Sequence, residues 1–267
     1  MKKMILTFST GLLILAAHGQ QTQGRVVYER TLKIHIDMEG MGEAPMRPMP
    51  STHKDKWEVL FGNNQSLRRA VEDDTPEEMT EVPDGGPRMH MITPGENEIT
   101  YHNFTTGQTV EQLEFAARNY IITDSIPHRN WKLTGETTTI LNYPCQQAIA
   151  QLIGKRRMTS VENGEMKSQE VADTSRIIAW FTPAIPVPAG PEYQGELPGL
   201  ILGLEVGDGR VIYQAVEVTE QADLAAVKAP SKGKKLSARE FEAEREKMLE
   251  AMQKDAKRRG AVLRIGG

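Results

Sequence analysis

Short stretches of alternating apolar and polar residues, each closed by a turn signal, recur along almost the whole chain. That recurrence confines the fold to a mostly β architecture. Residues 25–36 form the first stretch, with Val26, Tyr28 and Ile34 among charged neighbours. Residues 56–61 and 66–71 flank Gly62-Asn63-Asn64, a sequence that tolerates the positive φ of a tight hairpin. Residues 98–103 and 108–115 flank Thr105-Thr106-Gly107 in the same way. Short strands follow at 119–123 and 131–133. Residues 137–141 and 145–153 surround Asn142-Tyr143-Pro144, and Asn163-Gly164 is the strongest hairpin signal in the chain. Residues 176–181 are a compact apolar strand, and 200–206 and 211–218 flank Asp208-Gly209. Residues 38–52, rich in Gly, Pro and Met, and the acidic residues 72–87 read as loops.

About ten short strands joined by hairpins predict a single antiparallel meander sheet. A sheet of that size must curve, as a half-barrel, or split into a sandwich-like pair of layers. One α-helix closes the chain. Ser237 and Glu240 have the spacing of a capping box, and Gly260 is a stop signal. Phe241, Met248, Leu249 and Met252 give that helix only a narrow apolar stripe, so it is expected to dock weakly or to stand in solvent.

The first residues set the expected compartment. Lys2 and Lys3 precede an apolar run over residues 4–17, and Ala17-His18-Gly19 offers small residues at the cleavage positions. Residues 1–19 are therefore read as a signal peptide, with Gln20 as the mature N-terminus. The run is too short for a membrane span, and no later segment is long enough for one. No cysteine follows the cleavage site, so the expectation is an exported, periplasmic or cell-surface protein that is not a lipoprotein. Residues 20–230 are assigned to one β domain and 231–267 to a charged helix and tail. The single cysteine, Cys145, allows no internal disulfide and reads as a small buried hydrophobe. The net charge of −4 divides unevenly, because the residues from Lys228 onward carry twelve Lys and Arg against six Asp and Glu. A basic tail on an acidic body is explained by a solvated helix attracted to its own domain, and nothing calls for nucleic acid.

Two runs carry a resemblance. The first is Ala179-Trp180-Phe181-Thr182-Pro183, continued by Gly190-Pro191-Glu192-Tyr193 and Gly195-Glu196-Leu197-Pro198-Gly199-Leu200-Ile201-Leu202. The second is Trp131-Lys132-Leu133-Thr134-Gly135-Glu136 followed by Asn142-Tyr143-Pro144-Cys145-Gln146-Gln147-Ala148. Together they resemble the GLPGLI family of exported proteins from Bacteroidetes-type bacteria. Two positions depart from that pattern: Glu196 replaces the first glycine of the name motif, and Asn142 replaces the glycine before Tyr143. Asn142 tolerates left-handed geometry, so the same turn is expected there. Glu196 implies that its position does not need a left-handed backbone, and its side chain is expected to reach water. The resemblance implies an accessory protein of a cell-surface system, with a TonB-dependent transporter as the partner.

Five prolines between Pro183 and Pro198 force an extended crossing with few ladder bonds. Such a preset loop over an open sheet end serves either as a core plug or as a binding site. Trp180, Tyr193, Glu196, Leu197 and Leu200 are the candidate residues for engaging a partner or an apolar ligand. No hydrolase, zinc-protease, phosphate-loop or dinucleotide motif is present, so the chain reads as non-catalytic and no cofactor is implied. Two alternatives stand beside this. His35, Met38, Met41, Met89, His90 and Met91 combine thioether and imidazole donors suited to Cu(I) in a periplasmic copper-binding protein. An envelope hydrolase would need a site assembled only by folding.

Overall fold

In the computed structural model, residues 21–33, 52–71, 97–162 and 165–258 are described. The expected signal peptide, the six copper candidates and the two loops lie outside them, except Thr52, which the structure places at the start of a strand. Twelve strands form one sheet. They are β1 (Gly24–Lys33), β2 (Thr52–Gly62), β3 (Gln65–Ala70), β4 (Ile99–Asn103), β5 (Gln108–Phe115) and β6 (Arg118–Ser125), then β7 (Lys132–Ile140), β8 (Tyr143–Glu162), β9 (Glu165–Thr182), β10 (Leu200–Val206), β11 (Val211–Thr219) and β12 (Lys234–Ser237). Helix α1 (Ala238–Arg258) ends the described chain. The fold is mostly β with a C-terminal helix, as expected, and the sheet is open.

The strand order is β12-β6-β5-β4-β3-β2-β1-β11-β10-β9-β8-β7. Two meanders, β1 to β6 and β7 to β11, are thus joined edge to edge through β1 and β11, which pair antiparallel. Curvature follows from this order. Ten interstrand steps separate β6 from β7, which in a flat sheet would be about 48 Å. Residues 126–131 alone join these strands, and so short a segment with its flanking bonds reaches roughly 25 Å. The sheet must therefore curl until its ends approach.

The hairpins obey their turn residues. Asn63 and Asn64 have φ of 52° and 56°, and Leu141 and Asn142 have 49° and 67°, the left-handed pair that a two-residue hairpin needs. Asn142 thus holds the turn expected of it. The turn between β5 and β6 gave no sequence signal, because Ala116 and Ala117 adopt φ of 50° and 58°. Eight register pairs between β5 and β6 outweigh that local strain. Strand β7 merges the two short strands expected at 131–133 and 137–141, with a register shift against β8 and Gly135 at φ 85°.

Two features depart from the expected meander. Strand β12, placed by sequence in the charged tail, pairs parallel with β6 from Lys234 opposite Tyr120 to Ser237 opposite Thr123. It is a parallel strand in an otherwise antiparallel sheet. Strands β8 and β9 also run well past the expected 145–153 and 176–181. Twelve register pairs, from Gln151–Arg176 to Glu162–Glu165, lie beyond the last pairs made with β7 and β10. This ribbon extends about 40 Å.

The main core includes Val26, Tyr28, Trp57, Phe61, Ile177, Phe181, Leu200, Leu202 and Tyr213. Register places Tyr28, Trp57, Phe61 and Tyr213 on one face, here called the inner face. The other face of β2 to β6 buries Leu60, Leu67, Tyr101, Val110 and Ile121 under the segment carrying Leu224 and Val227. Helix α1 lies on the inner face of β6, where Phe241 meets Tyr120 and Phe115 edge-on at 5.1 and 6.2 Å. It docks more firmly than its narrow stripe predicts. The capping box forms: Ser237 N–H donates to Glu240 Oε2 at 2.8 Å, and Glu240 N–H donates to Ser237 Oγ at 3.3 Å.

Candidate functional site

Residues 183–199 form a strap over the inner face. Prolines deny it ladder donors, so its backbone bonds within the strap, and its carbonyls accept from the start of β10. Gly195 N–H donates to Pro188 O at 2.7 Å, Leu200 N–H to Ile185 O at 3.0 Å, and Ile201 N–H to Ala189 O at 2.9 Å. Ile185, Val187, Ala189, Leu197 and Leu200 are all buried in the core. Gly199 is required by close approach, since a Cβ there would stand 2.3 Å from Thr182 O. This explains the glycine between Pro198 and Leu200 without appeal to function.

The structure distributes the five predicted residues differently from one another. Leu197 and Leu200 are core residues. Tyr193 is half-buried at φ 54°, with the Arg129 guanidinium 4.5 Å from its ring centroid and Trp131 edge-on at 6.0 Å. Burial, with the Glu192 charge adding, pushes its hydroxyl pKa up to about 12. Trp180 is half-buried on the face of β9 opposite its neighbours Ala179 and Phe181, beside Gly203.

Glu196 corrects the expectation of an exposed carboxylate. Its side chain is 1% exposed. It accepts hydrogen bonds from the Arg129 guanidinium, from Arg129 N–H at 3.1 Å and from Trp131 Nε1 at 3.0 Å. A buried carboxylate is tolerable when charge and hydrogen bonds compensate it together. Here the compensation ties the strap to the connection between β6 and β7. The backbone of Glu196 is not left-handed, as expected; that role falls to Gly195 at φ 84°.

Beneath residues 191–194 lies a polar cluster that sequence reading did not single out. Arg30 of β1 and Arg68 of β3 stand 4.7 and 4.3 Å from the ring centroid of Trp57 on β2. Arg30 Nε donates to Asp55 Oδ1 at 2.8 Å, and its Nη2 also reaches Asp55. Arg68 donates to Pro191 O and to Glu98 Oε1, each at 2.9 Å. Ser66 Oγ donates to Gln194 Oε1 at 2.6 Å, and Tyr213 donates to Glu192 at 2.7 Å. The strap is thus clamped to β3 and β11 by polar side chains.

Two titratable groups flank Arg68. His102 is opposite Ser66, and Glu111 is opposite Thr100, which faces Arg68. Burial, and then the Arg68 charge, lowers the His102 pKa to about 4. Burial, and then the Glu98 carboxylate, raises the Glu111 pKa to about 7. At neutral pH His102 is therefore an uncharged imidazole, and Glu111 is close to half protonated. Trp57 Nε1, Arg68 Nε, His102 Nδ1 and Gln194 Nε2 have no hydrogen-bond partner among the described residues. Such groups cost about 1–3 kcal/mol each when left unmade. The available signal was weak: Arg30, Trp57, Arg68 and His102 sit at alternate positions of predicted strands, but which face they share appears only from the register. Among the described residues no cluster of three or more His, Cys, Asp or Glu is arranged to hold a metal ion.

A family described as a protein of unknown function (Porph_ging), an uncharacterised Bacteroidetes-type family, matches residues 131–203. The match runs from Trp131 through β7, β8, β9 and the strap into β10. No curated protein matches the chain. Two solved structures described as PNGF-II, in space groups P21 and C2, match with TM-scores of 0.46 and 0.47 at 14% and 15% identity. Each match covers 83% of this chain and 32% of the other, so this chain spans about a third of the length of those structures.

Proposed function

We propose that the protein is a non-catalytic binding or accessory protein of the bacterial cell envelope, a GLPGLI-family member that engages a protein partner. The observation that supports this reading is the β8–β9 ribbon. Its twelve outer register pairs have no third strand among the described residues. An isolated two-stranded ribbon is marginally stable in water. A strand from a partner supplies the missing ladder and gains main-chain hydrogen bonds in return. A TonB-dependent transporter is the partner class we propose. The apolar-ligand reading fits less well, because Ile185, Val187, Leu197 and Leu200 already fill the inner face where such a ligand would lie.

The test is a capture experiment from native envelope extracts. The bait is the mature chain from Gln20, compared with a version lacking residues 154–173, its ribbon closed by Asn-Gly. The full chain is expected to enrich a TonB-dependent transporter, and the shortened chain to lose it while keeping its melting temperature. Equal enrichment by both baits would sink the ribbon as the docking element.

A further inference from the structure

Four polar atoms without a protein partner lie together beneath the strap. The Arg68 guanidinium flanks Trp57 at 4.3 Å, Gln194 is bonded to Ser66 two residues along β3, and His102 pairs directly across from Ser66. Trp57, Gln194, Arg68 and His102 are 0%, 2%, 8% and 9% exposed. Folded proteins pair nearly all buried polar atoms. Four exceptions on three adjacent strands and one loop, all on one face, point to an occupant from outside the chain.

Hydrogen-bonding capacity sets the chemistry of that occupant. Trp57 Nε1, Arg68 Nε and Gln194 Nε2 are donors only, so the occupant must accept. His102 Nδ1, on a neutral imidazole, serves as either a donor or an acceptor. Glu98 and Glu192 carry carboxylate oxygens with spare lone pairs, so the occupant also has somewhere to donate. Charge and donors together argue against an ion. Arg30 is matched by Asp55 and Arg68 by Glu98, while Glu192 adds a negative charge and Glu111 part of another. A buried anion would therefore have no counter-charge of its own, and a cation cannot accept from the three donors. Water and hydroxyls both accept and donate through one uncharged atom; donors on four elements call for several such groups, which a polyhydroxyl ligand carries on one molecule.

We infer that the inner face beneath residues 191–194 binds a neutral, hydroxyl-rich ligand of the sugar or polyol class. Gln194 and Pro191 form its roof, so entry requires that part of the strap to lift. This site is separate from the ribbon and does not depend on the partner reading.

Calorimetric titration and thermal melting with glucose, galactose, N-acetylglucosamine and glycerol test the inference. At least one probe is expected to give a saturable rise in melting temperature, distinct from the linear rise that an excluded solute produces. Trp57→Phe keeps a ring between the two guanidinium groups and removes only the N–H. It is expected to melt at or above the wild-type temperature without ligand, and to bind about fivefold more weakly. Gln194→Met tests the roof in the same assay and is expected to weaken binding comparably. No saturable response to any probe overturns the inference. So does a Trp57→Phe variant that melts several degrees lower without ligand, which would show that internal water satisfies the indole. Wild-type affinity in both variants overturns it too.

Discussion

Glu196 gathers three donors contributed by Arg129 and Trp131, on the connection between β6 and β7. Replacing it with alanine leaves the indole N–H and the guanidinium facing a site built for a carboxylate. Arg129 keeps 28% of its side-chain exposure, so water screens part of that loss. Glu196→Ala should cost about 2 kcal/mol in urea unfolding, and Glu196→Gln less; an alanine variant within about 0.5 kcal/mol of wild type would refute the clamp. His102 and Glu111 make a second prediction, with opposite signs. Glu111 has a folded pKa near 7, above its usual value of 4.5, so its contribution is complete below pH 4.5 and is lost as pH rises towards 7. His102 has a folded pKa near 4, below its usual 6.5, so its contribution is complete above pH 6.5 and is lost as pH falls towards 4. Between pH 4.5 and 6.5 the two slopes oppose each other. His102→Gln removes one of them. Relative to wild type, this variant should lose stability as pH rises through that window, and melting curves at half-unit pH steps read the difference. A difference that stays flat would remove His102 from the buried cluster.

Among the elements, the strap is where sequence and structure divide most clearly. Its prolines announced an extended crossing, while its apolar residues left core plug and binding site open; Leu197 and Leu200 are buried at 4% and 0% exposure. Leu200→Ala should therefore cost about 2–5 kcal/mol, read from denaturant midpoints. A loss below about 1 kcal/mol would contradict core placement. The hairpins were legible wherever a residue that favours positive φ stood in the turn, as at Asn63-Asn64, Asn142 and Asp208-Gly209. Ala116-Ala117 was not, because pairing of β5 with β6 imposes a conformation its residues do not favour. The full length of β8 and β9 was also hidden, since an arm that leaves the sheet need not alternate apolar with polar residues. Partners of Glu196 lie 65 and 67 residues away in sequence, and no local pattern encodes such a pair. The polar cluster was unreadable for the same reason: it draws on β1 to β5, β11 and the strap. Cys145 was legible as a buried hydrophobe; it is 1% exposed, and burial raises its thiol pKa. It should resist alkylation in the native protein and react fully once unfolded, and rapid native labelling would contradict its burial.

At the scale of the molecule, the two ends of the curled sheet are managed differently. Strand β7 is an edge strand among the described residues and carries a register shift against β8 at Gly135, a device that discourages edge-to-edge pairing. The opposite end is finished by the C-terminal segment. Strand β12 takes up the open side of β6, and α1 then turns back over the inner face, where Phe241 is 6% exposed against the fully buried Tyr120. Tyr120 OH donates to Glu244 at 3.1 Å on the helix. Ending the chain after Lys228 would strip these contacts together, exposing Tyr120, Ile122, Leu113 and Phe115 along with the unpaired backbone of β6. Such a truncated chain should melt lower and self-associate as concentration rises, because an apolar face beside an open strand edge recruits another copy. Phe241→Ser separates the two causes. It removes the ring but keeps β12, so it should lower the melting temperature without promoting association. Sedimentation velocity across a tenfold concentration range, run beside thermal melts, distinguishes these outcomes. A truncated chain that stays monomeric with wild-type stability would mean that the helix and β12 are appendages and that the sheet closes its own edge.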